Sequence, residues 1–328
     1  MVRLSWSRAL AWRMRQQLLD PVGTESVAGV VRRVGAVPAQ LDAAAELAVR
    51  TRRERSRPGG VARALAEGRI IKTFAFRGAT HLLTPEDGGA YLALRAASRD
   101  VGAPQLAELL RPDAVGLANA SRGGPRRPRR RAADPRGARG GSHRPAQVPP
   151  SGLCVRRRVR HAAQAVRVAG RSELRPTAPD HVRYWLGHGL GAGRKRIQSW
   201  IAGLGDRLTA VDIDGQSAYL LREDLEELAT TPTTTAVRLL PRYDQWVLGP
   251  GTADAHVVPP ATRTVVSRGA NIVIVGGIVA GTWSLIDNQV VAAWSAEAEP
   301  PAPEALAEEV ARLATILDQP LQPGVRTA

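Results

Sequence analysis

Cysteine and lysine are almost absent from this sequence. Its 328 residues include a single cysteine, Cys154, so no intrachain disulfide can form and we expect a reducing compartment. Lys72 and Lys195 are the only lysines, against 44 arginines. There is no run of about 18 apolar residues that could cross a membrane, and the N-terminal segment lacks the apolar core of a signal peptide. We therefore expect a cytoplasmic protein that does not associate with membranes.

The residue patterns of common enzyme sites are also missing. The six histidines are scattered and the lone cysteine has no partner, so we expect neither a metal site nor a cofactor. No serine lies in the glycine-flanked elbow that nucleophilic hydrolases use. The glycine-rich segment 187–193 follows a predicted helix rather than a strand, which favours a turn over a phosphate-binding loop.

The positive charge is concentrated in one block. The chain carries +16, and residues 121–175 contain sixteen arginines and two acids, which leaves the remainder near +2. Glycine and proline interrupt this block, and no helix or strand period begins before about Val155. We predict that residues 99–175 form a degraded or disordered arginine-rich middle region. Three interpretations stay open: an arm that binds phosphates, a solvated linker, and a segment translated out of frame from GC-rich DNA.

Residues 1–98 are predicted to form one winged-helix unit. Helices are expected at 5–18, at 26–34 with Thr24 or Ser26 as the cap, at 38–52 with Pro38 at its start, and at 61–67. Two short strands should follow, at 70–76 and 80–83, around the Arg77-Gly78 turn. Several helices followed by a two-stranded hairpin is the element order of a winged helix.

Residues 176–230 are predicted to form a second winged-helix unit. A helix capped by Thr177 and a helix over Arg194–Leu204 should precede two strands, Leu208–Asp212 and Ser217–Leu221. The pair Asp214-Gly215 between these strands is a strong hairpin signal.

Residues 231–328 are predicted to form a β-rich section that ends in the helix Pro303–Leu317. Strands are expected at 237–240, 264–267, 271–275, 278–283 and 289–294. The predicted fold class is α+β and mainly helical, with tandem winged-helix units and this β-rich C-terminal section.

Four phrases in order resemble the AlkZ/YcaQ-like winged-helix DNA glycosylases. They are "GAVPAQLDAAAELAVRTR" (35–52), "RGATHLLTPED" (77–87), "LLPRYDQWVLG" (239–249) and "IVIVGGIVAGTWS" (272–284). The resemblance implies a concave, basic surface built from tandem winged helices. It also implies that the partner is double-stranded DNA, including alkylated or crosslinked DNA. Within the third phrase, Asp244 and Trp246 are interpreted as core or structural residues.

The catalytic motif of that family is Gln-aliphatic-Gln or Gln-aliphatic-Asp at the start of a helix, and two placements fit this sequence. The first puts Pro38 at the first position and Gln40 at the second, so that one amide is lost. The second gives a complete motif, Gln40-Leu41-Asp42. Gln40 belongs to both placements. Capping of a helix N-terminus is the structural alternative for Gln40 and Asp42.

The chemistry that this resemblance implies needs few groups. Alkylation of a purine ring nitrogen makes the base cationic and already a good leaving group, and cleavage passes through an oxocarbenium-like sugar. A Gln40 carbonyl can orient the attacking water, and an Asp42 carboxylate can orient it and stabilise the sugar cation. Undamaged bases leave poorly, so a weak catalyst of this kind is selective by itself.

The other candidate residues are predicted to contact DNA. Arg77 lies at a wing turn and His81 on a wing strand, although turn chemistry and a structural hydrogen bond are the respective alternatives. Arg194, Lys195 and Arg196 open the recognition helix of the second unit and suit phosphate or groove contact, with a solvated helix face as the alternative.

The sequence therefore predicts a DNA-binding protein with N-glycosylase activity on alkylated purines. The alternative is a winged-helix DNA-binding protein without catalysis, a regulator or an inactive paralogue. Pro38 is the residue that favours this alternative.

Overall fold

The computed structural model describes residues 2–98, 184 and 194–324, and within them the fold mixes helix and sheet. The predicted middle region 99–175 and the helix expected after Thr177 therefore lie outside the described residues, apart from a helical Tyr184. The helices are α1 (Trp6–Gln16), α2 (Val27–Val34), α3 (Asp42–Arg50), α4 (Gly60–Ala66), α5 (Pro85–Ser98), α6 (Arg194–Ala202), α7 (Leu225–Thr230), α8 (Gln245–Leu248), α9 (Arg263–Ser267) and α10 (Pro303–Leu317). The strands are β1 (Val2–Leu4), β2 (Val37–Pro38), β3 (Ile71–Phe74), β4 (Thr80–Leu83), β5 (Leu208–Ile213), β6 (Gln216–Leu221), β7 (Val237–Leu240), β8 (Asn271–Val275), β9 (Ile278–Ile286), β10 (Gln289–Trp294) and β11 (Gln322–Gly324).

The first helical cluster runs in the order α2, β2, α3, α4, β3, β4, with a three-stranded sheet in the order β2-β4-β3. Of the two predicted caps, Thr24 and Ser26, it is Ser26 that caps α2, since its side chain accepts a hydrogen bond from the backbone N–H of Gly29. The carboxylate of Glu46 on α3 accepts the N–H groups of Gly60 and Val61, at 3.0 and 2.9 Å. These bonds satisfy two donors that the first turn of α4 leaves unpaired, and so they fix the corner between α3 and α4.

A second three-stranded sheet has the order β1-β5-β6. The hairpin predicted around Asp214-Gly215 is confirmed, since β5 and β6 pair antiparallel on either side of it. The edge of this sheet is completed by β1, which pairs parallel with β5. An Asp214 oxygen also accepts the N–H of Trp6 at 2.8 Å, which ties the start of α1 to the hairpin.

The C-terminal section is a five-stranded sheet in the order β11-β10-β9-β8-β7, covered on one face by α10. The helix α10 begins and ends at the predicted residues, Pro303 and Leu317. Its Glu309 is only 3% exposed, and the cost of burying this carboxylate is offset because it accepts the N–H of Leu239 on β7 at 2.9 Å and pairs with Arg312 at 2.6 Å.

The N-terminal helix α1 joins the later parts of the chain. Ala9 and Trp12 pack into the core of the β5–β6 sheet, and Leu10 and Met14 pack into the core of the C-terminal sheet. The first helical cluster has its own core, formed by α2, α3, α4 and the small sheet. The division at residues 98, 175 and 230 stays a prediction. Helix α1 belongs to the first part of that division, but it packs against the β5–β6 sheet and the C-terminal sheet, which both follow residue 175.

Two element predictions are wrong. Residues 264–267 are predicted as a strand, but they lie in α9, where Val266 is buried in the C-terminal core although three of the four side chains in that segment are not. Pro38 was expected to open a helix, but it lies in β2, and the helix begins at Asp42. Because β2 is an edge strand with a partner on one side only, a proline without N–H is tolerated there.

No described helix is both long and apolar enough to span a bilayer.

Candidate active site beside Gln40

Gln40 lies in the three-residue connection between β2 and α3, and it is exposed. Its position is fixed by the preceding residue, because the Ala39 N–H donates to the Thr80 carbonyl of β4 at 2.8 Å. Strand pairing on one side and the start of α3 on the other therefore present the Gln40 side chain at the surface rather than in a sealed interior.

A cleft of about 210 Å³ opens beside Gln40. It is lined by Gln40, Phe76, Arg77, Ala79, His81, Tyr243 and Leu248. Three of the predicted site residues, Gln40, Arg77 and His81, thus meet in one cleft. Its walls come from the β2–α3 connection, from the β3–β4 turn and from the segment around α8.

His81 is buried in the cleft wall and uncharged at neutral pH. Its Nδ1–H donates to the Ala79 carbonyl at 2.9 Å, which leaves Nε2 as the unprotonated nitrogen. Burial away from water lowers the pKa of His81 from 6.5 to about 4, against the opposing effect of the Ala79 hydrogen bond, and the nearby positive charge of Arg77 lowers it further. The cleft therefore contains a neutral imidazole rather than a second cation beside Arg77.

Arg77 forms the tip of the β3–β4 turn and has a left-handed backbone, with φ of 55°. Its guanidinium donates to the Leu248 carbonyl at 3.2 Å and lies 4.5 Å from the ring centroid of Tyr184. The cation is therefore partly oriented by the protein and partly open to solvent, a geometry that suits contact with a phosphate.

Asp42 is the first residue of α3 and is not among the described residues that line the cleft. Its carboxylate pairs with Lys72 of β3 at 2.6 Å, and its side chain is 85% exposed. The helix N-terminus and Lys72 both favour a negative charge at this position.

Pro38 is buried and lies directly opposite His81 in the β2–β4 pairing. Residues opposite each other in an antiparallel pair project to the same face of a sheet. The side chain at position 38 therefore shares the face of His81, which lines the cleft.

The basic cluster that was predicted for a second unit lies on a separate helix. Arg194 and Lys195 are in the first turn of α6 and are exposed. Arg196 is helical, but its side chain lies outside the described residues. None of the three is among the described residues that line the Gln40 cleft.

A second cleft, of about 540 Å³, lies at the corner between α3 and α4. Its wall contains five arginines, Arg53, Arg55, Arg57, Arg63 and Arg69, and one acid, Glu54. Among the described residues, the guanidinium groups of Arg55, Arg57 and Arg63 have no ion-pair partner, and all three residues are exposed. We name this feature the arginine cleft. The residues outside the block 121–175 carry a net charge of only about +2, so five arginines beside one acid give this cleft a marked local excess of positive charge.

Sequence reasoning did not single out Tyr243, although it lies in one of the four quoted phrases. It lines the Gln40 cleft and has a left-handed backbone, with φ of 60°. Its neighbour Asp244 was interpreted as structural, as was Trp246. Asp244 is buried and pairs with Arg52, and Trp246 is fully buried, with its indole N–H donating to the Gly277 carbonyl at 2.9 Å.

No cluster of three or more potential metal ligands occurs in the part of the chain that the structure describes.

Comparison with known proteins then identifies the family. The family model described as DNA glycosylase AlkZ-like matches residues 31–173 and 126–316. The chain belongs to the AlkZ-like DNA glycosylase family.

Two relatives from Streptomyces sahachiroi agree with this assignment to the AlkZ-like family. A protein named interstrand DNA cross-link repair glycosylase is 30% identical over 346 aligned positions, which cover 88% of this chain and 90% of the relative. The solved structure of a protein named DNA glycosylase AlkZ is similar with a TM-score of 0.76 at 25% identity, over 100% of both chains. The resemblance seen in the sequence is confirmed, and the predicted function, a DNA glycosylase of DNA repair, is that of the family to which the chain belongs.

Proposed function

We propose that this chain hydrolyses the glycosidic bond between an alkylated purine and its deoxyribose in double-stranded DNA. The observation that carries the proposal is the exposed Gln40 at the mouth of a cleft with a neutral His81 in its wall. Membership of the AlkZ-like DNA glycosylase family supports the reaction class. Crosslinked DNA is included as a substrate because a relative is named for cross-link repair.

Gln40 is proposed to orient the attacking water. In the reaction the bond from the sugar C1′ to the purine nitrogen breaks, and its electron pair neutralises the purinium ring. Water adds to C1′ and loses a proton, which gives an abasic site and a neutral alkylated base. Because the base leaves without help, the enzyme needs a positioned water and a suitable electrostatic environment at the sugar. The amide carbonyl of Gln40 can accept a hydrogen bond from that water.

Asp42 is proposed to act as a secondary carboxylate. Its ion pair with Lys72 is exposed, and exposed pairs are worth only about 0 to 1 kcal/mol. The carboxylate can therefore exchange Lys72 for a water or a sugar at little cost. Lys72 is then available for a phosphate.

DNA binding is proposed to use two winged-helix units in tandem, within the domain division predicted from the sequence. The order α2, β2, α3, α4, β3, β4 with sheet order β2-β4-β3 supports the first unit. The helix α6 followed by the β5–β6 hairpin supports the second. In this arrangement the wing of the first unit carries Arg77 and His81. The helix α6 presents Arg194, Lys195 and Arg196 for contact with phosphates.

The arginine cleft extends the proposed contact with the DNA backbone. It lies at the C-terminal end of α3, whose nine residues place it about 13 Å from Gln40 along the helix axis. We propose that Arg55, Arg57 and Arg63 bind phosphates of the duplex that flanks the lesion.

A reducing compartment that contains DNA also suits the single cysteine, so the cytoplasm is the proposed location.

A non-catalytic DNA-binding protein is the second candidate function. Pro38 favours it, because a proline at the first motif position removes one of the two amides that could position the water. This candidate shares every DNA contact with the first and lacks only the hydrolysis.

Release of N7-methylguanine from a defined duplex distinguishes the two candidates. The wild-type chain is expected to release the free base, and Gln40→Ala is expected to bind the same duplex but release little. Asp42→Ala, which removes the other motif side chain, is expected to lose less activity than Gln40→Ala. Tight binding without base release at high wild-type concentration would leave only the binding function.

A further inference from the structure

Tyr243 forms the wall of the Gln40 cleft that is contributed by the segment before α8. Its φ of 60° lies in the left-handed region, which is unfavourable for a bulky residue. Arg77, which lines the same cleft, has φ of 55°. Such backbone conformations persist where the surrounding structure imposes them, and they are concentrated at functional sites.

The Tyr243 ring is seated against the backbone of Gly269. A Cβ added to Gly269 would lie 2.3 Å from Cζ and 2.5 Å from the hydroxyl oxygen of Tyr243, so only glycine allows this contact. The hydroxyl lies 3.5 Å from the Arg268 carbonyl. Arg242 also contacts this region. Its Nε–H donates to the Gly269 carbonyl at 2.9 Å, and its guanidinium lies 5.5 Å from the centroid of the Tyr243 ring. The phenol end therefore contacts the backbone of Arg268 and Gly269, and these contacts hold the half-buried ring in the cleft wall.

The backbone on the other side of Tyr243 is anchored as firmly. Asp244 is buried, forms an ion pair with Arg52 and caps α8 through the Trp246 N–H at 2.8 Å. Arg52 follows the C-terminal end of α3, and Gln40 precedes the N-terminal end of the same helix. One chain of contacts therefore connects the position of Tyr243 to that of Gln40.

We propose that the aromatic ring of Tyr243 contacts the deoxyribose of the target nucleotide and stabilises the positive charge that develops there. The proposal rests on the proposed glycosylase function and deepens it. The face of an aromatic ring carries partial negative charge and attracts cations. No carboxylate is among the described residues that line the cleft, His81 is uncharged, and the other ring of the lining, Phe76, is 0% exposed, so the half-buried Tyr243 ring is the accessible aromatic face of that lining. Its fixed geometry means that no reorganisation is needed when the charge appears.

Single-turnover rates at saturating enzyme test this role of the ring. Tyr243→Leu is expected to slow base release about tenfold, within the range of a desolvated cation–π contact, with the Kd for DNA changed less than twofold. Tyr243→Phe is expected to retain the wild-type rate within about twofold, because the ring is kept. Ile286→Ala, a change at an exposed residue at the end of β9 that does not line the Gln40 cleft, is the control and should keep the wild-type rate.

A graded electronic series separates this role from a merely structural one. Phenylalanines with increasing fluorination at position 243 keep the shape of the ring but withdraw electron density from its face. The rate should fall progressively along the series while the midpoint of thermal unfolding stays constant. An unchanged rate along the series, or an equal loss in Tyr243→Phe and Tyr243→Leu, would overturn the proposal.

A binding measurement keeps the inference independent of turnover. The probes are two duplexes, one with a cationic pyrrolidine abasic analogue and one with a neutral tetrahydrofuran abasic analogue. The wild-type chain should bind the cationic duplex about tenfold more tightly, and Tyr243→Leu should abolish that preference. Preference without base release would contradict the glycosylase function and leave the inference intact. Base release without a preference for the cationic duplex would contradict the inference about Tyr243 and leave the glycosylase function intact.

Discussion

Arg52 and Asp244 lie 192 positions apart in the chain and form a two-pronged ion pair, with N–O distances of 2.8 and 2.7 Å. Their side chains are only 1% and 0% exposed. Arg52 follows α3 of the first helical cluster, and Asp244 caps α8 of the C-terminal section. The pair therefore connects the two parts of the chain that line the Gln40 cleft.

Removing one partner of this pair should be strongly destabilising. Asp244→Asn keeps an oxygen that can cap α8 but leaves Arg52 as an uncompensated buried charge. We expect a loss of about 3–5 kcal/mol in the free energy of unfolding, measured by urea denaturation. Arg32→Met breaks the exposed Arg32–Glu86 pair and is the control, with an expected loss below about 1 kcal/mol.

The double variant Arg52→Met, Asp244→Asn tests the pairwise origin of that loss. Because it removes both charges, it should cost clearly less than the sum of the two single changes. Strictly additive losses would show that the two charges act independently of each other.

Pro38→Gln should increase the rate of base release. The new amide would lie on the sheet face that it shares with His81, next to the water that Gln40 is proposed to orient. A second positioning group of this kind is expected to raise the single-turnover rate by about tenfold or more. Pro38→Leu, which also restores a backbone N–H but adds no amide, is the control. A rate in Pro38→Gln no higher than in Pro38→Leu would contradict a catalytic role for this position.

Acid should destabilise the fold through His81. In the unfolded chain a histidine takes up a proton near pH 6.5, whereas buried His81 does so only near pH 4. The unfolded state therefore binds the extra proton in this window, and stability falls as the pH drops from about 6.5 to about 4. At pH 4.5 this contribution amounts to about 2–3 kcal/mol relative to pH 7.

His81→Gln isolates that contribution, since glutamine does not titrate. The difference in unfolding free energy between the wild type and His81→Gln should shrink by about 2–3 kcal/mol on going from pH 7 to pH 4.5. A difference that stays the same between the two pH values would show that His81 is not protected from protonation in the folded state.

The arginine cleft should contribute to the salt dependence of DNA binding. Each phosphate contact adds about 0.9 to the slope of log K against log salt concentration. Replacing Arg55, Arg57 and Arg63 together by glutamine should lower that slope by about 2–3 and weaken binding to lesion-free and alkylated duplexes alike. The lysine triple variant keeps the charge and should keep the slope. Arg15→Gln removes an exposed arginine of α1 that does not line the cleft, and it should leave the slope unchanged. An unaltered slope in the glutamine triple variant would remove this cleft from the DNA-binding surface.

Local signals in the sequence predicted some elements well. Asp214-Gly215 marked its hairpin, and the regular apolar spacing of 303–317 gave the correct ends of α10. Local signals failed where tertiary contacts decide. Arg263 donates to the carbonyls of Thr252 and Ala253, and Val266 is buried in the C-terminal core, so residues 264–267 form a helix despite their β-branched side chains.

The candidate site was predictable only in part. Gln40, Arg77 and His81 lie in phrases that resemble the AlkZ-like family, and the structure places them in one cleft. Tyr243 could not be singled out in this way, because its importance depends on a backbone angle and on contact with Gly269. The pairing of β1 with β5 joins residues more than 200 positions apart, and no local pattern encodes it.

The most direct test is the single-turnover release of N7-methylguanine from duplex DNA, compared with spontaneous depurination of the same duplex. The account predicts that the wild type is much faster than the spontaneous reaction and that Gln40→Ala loses most of that acceleration while its Kd stays within about twofold. Gln40→Glu retains an oxygen acceptor for the water and should keep most of the rate. Release by Gln40→Ala at the wild-type rate, or by the wild type at the spontaneous rate, would contradict the account.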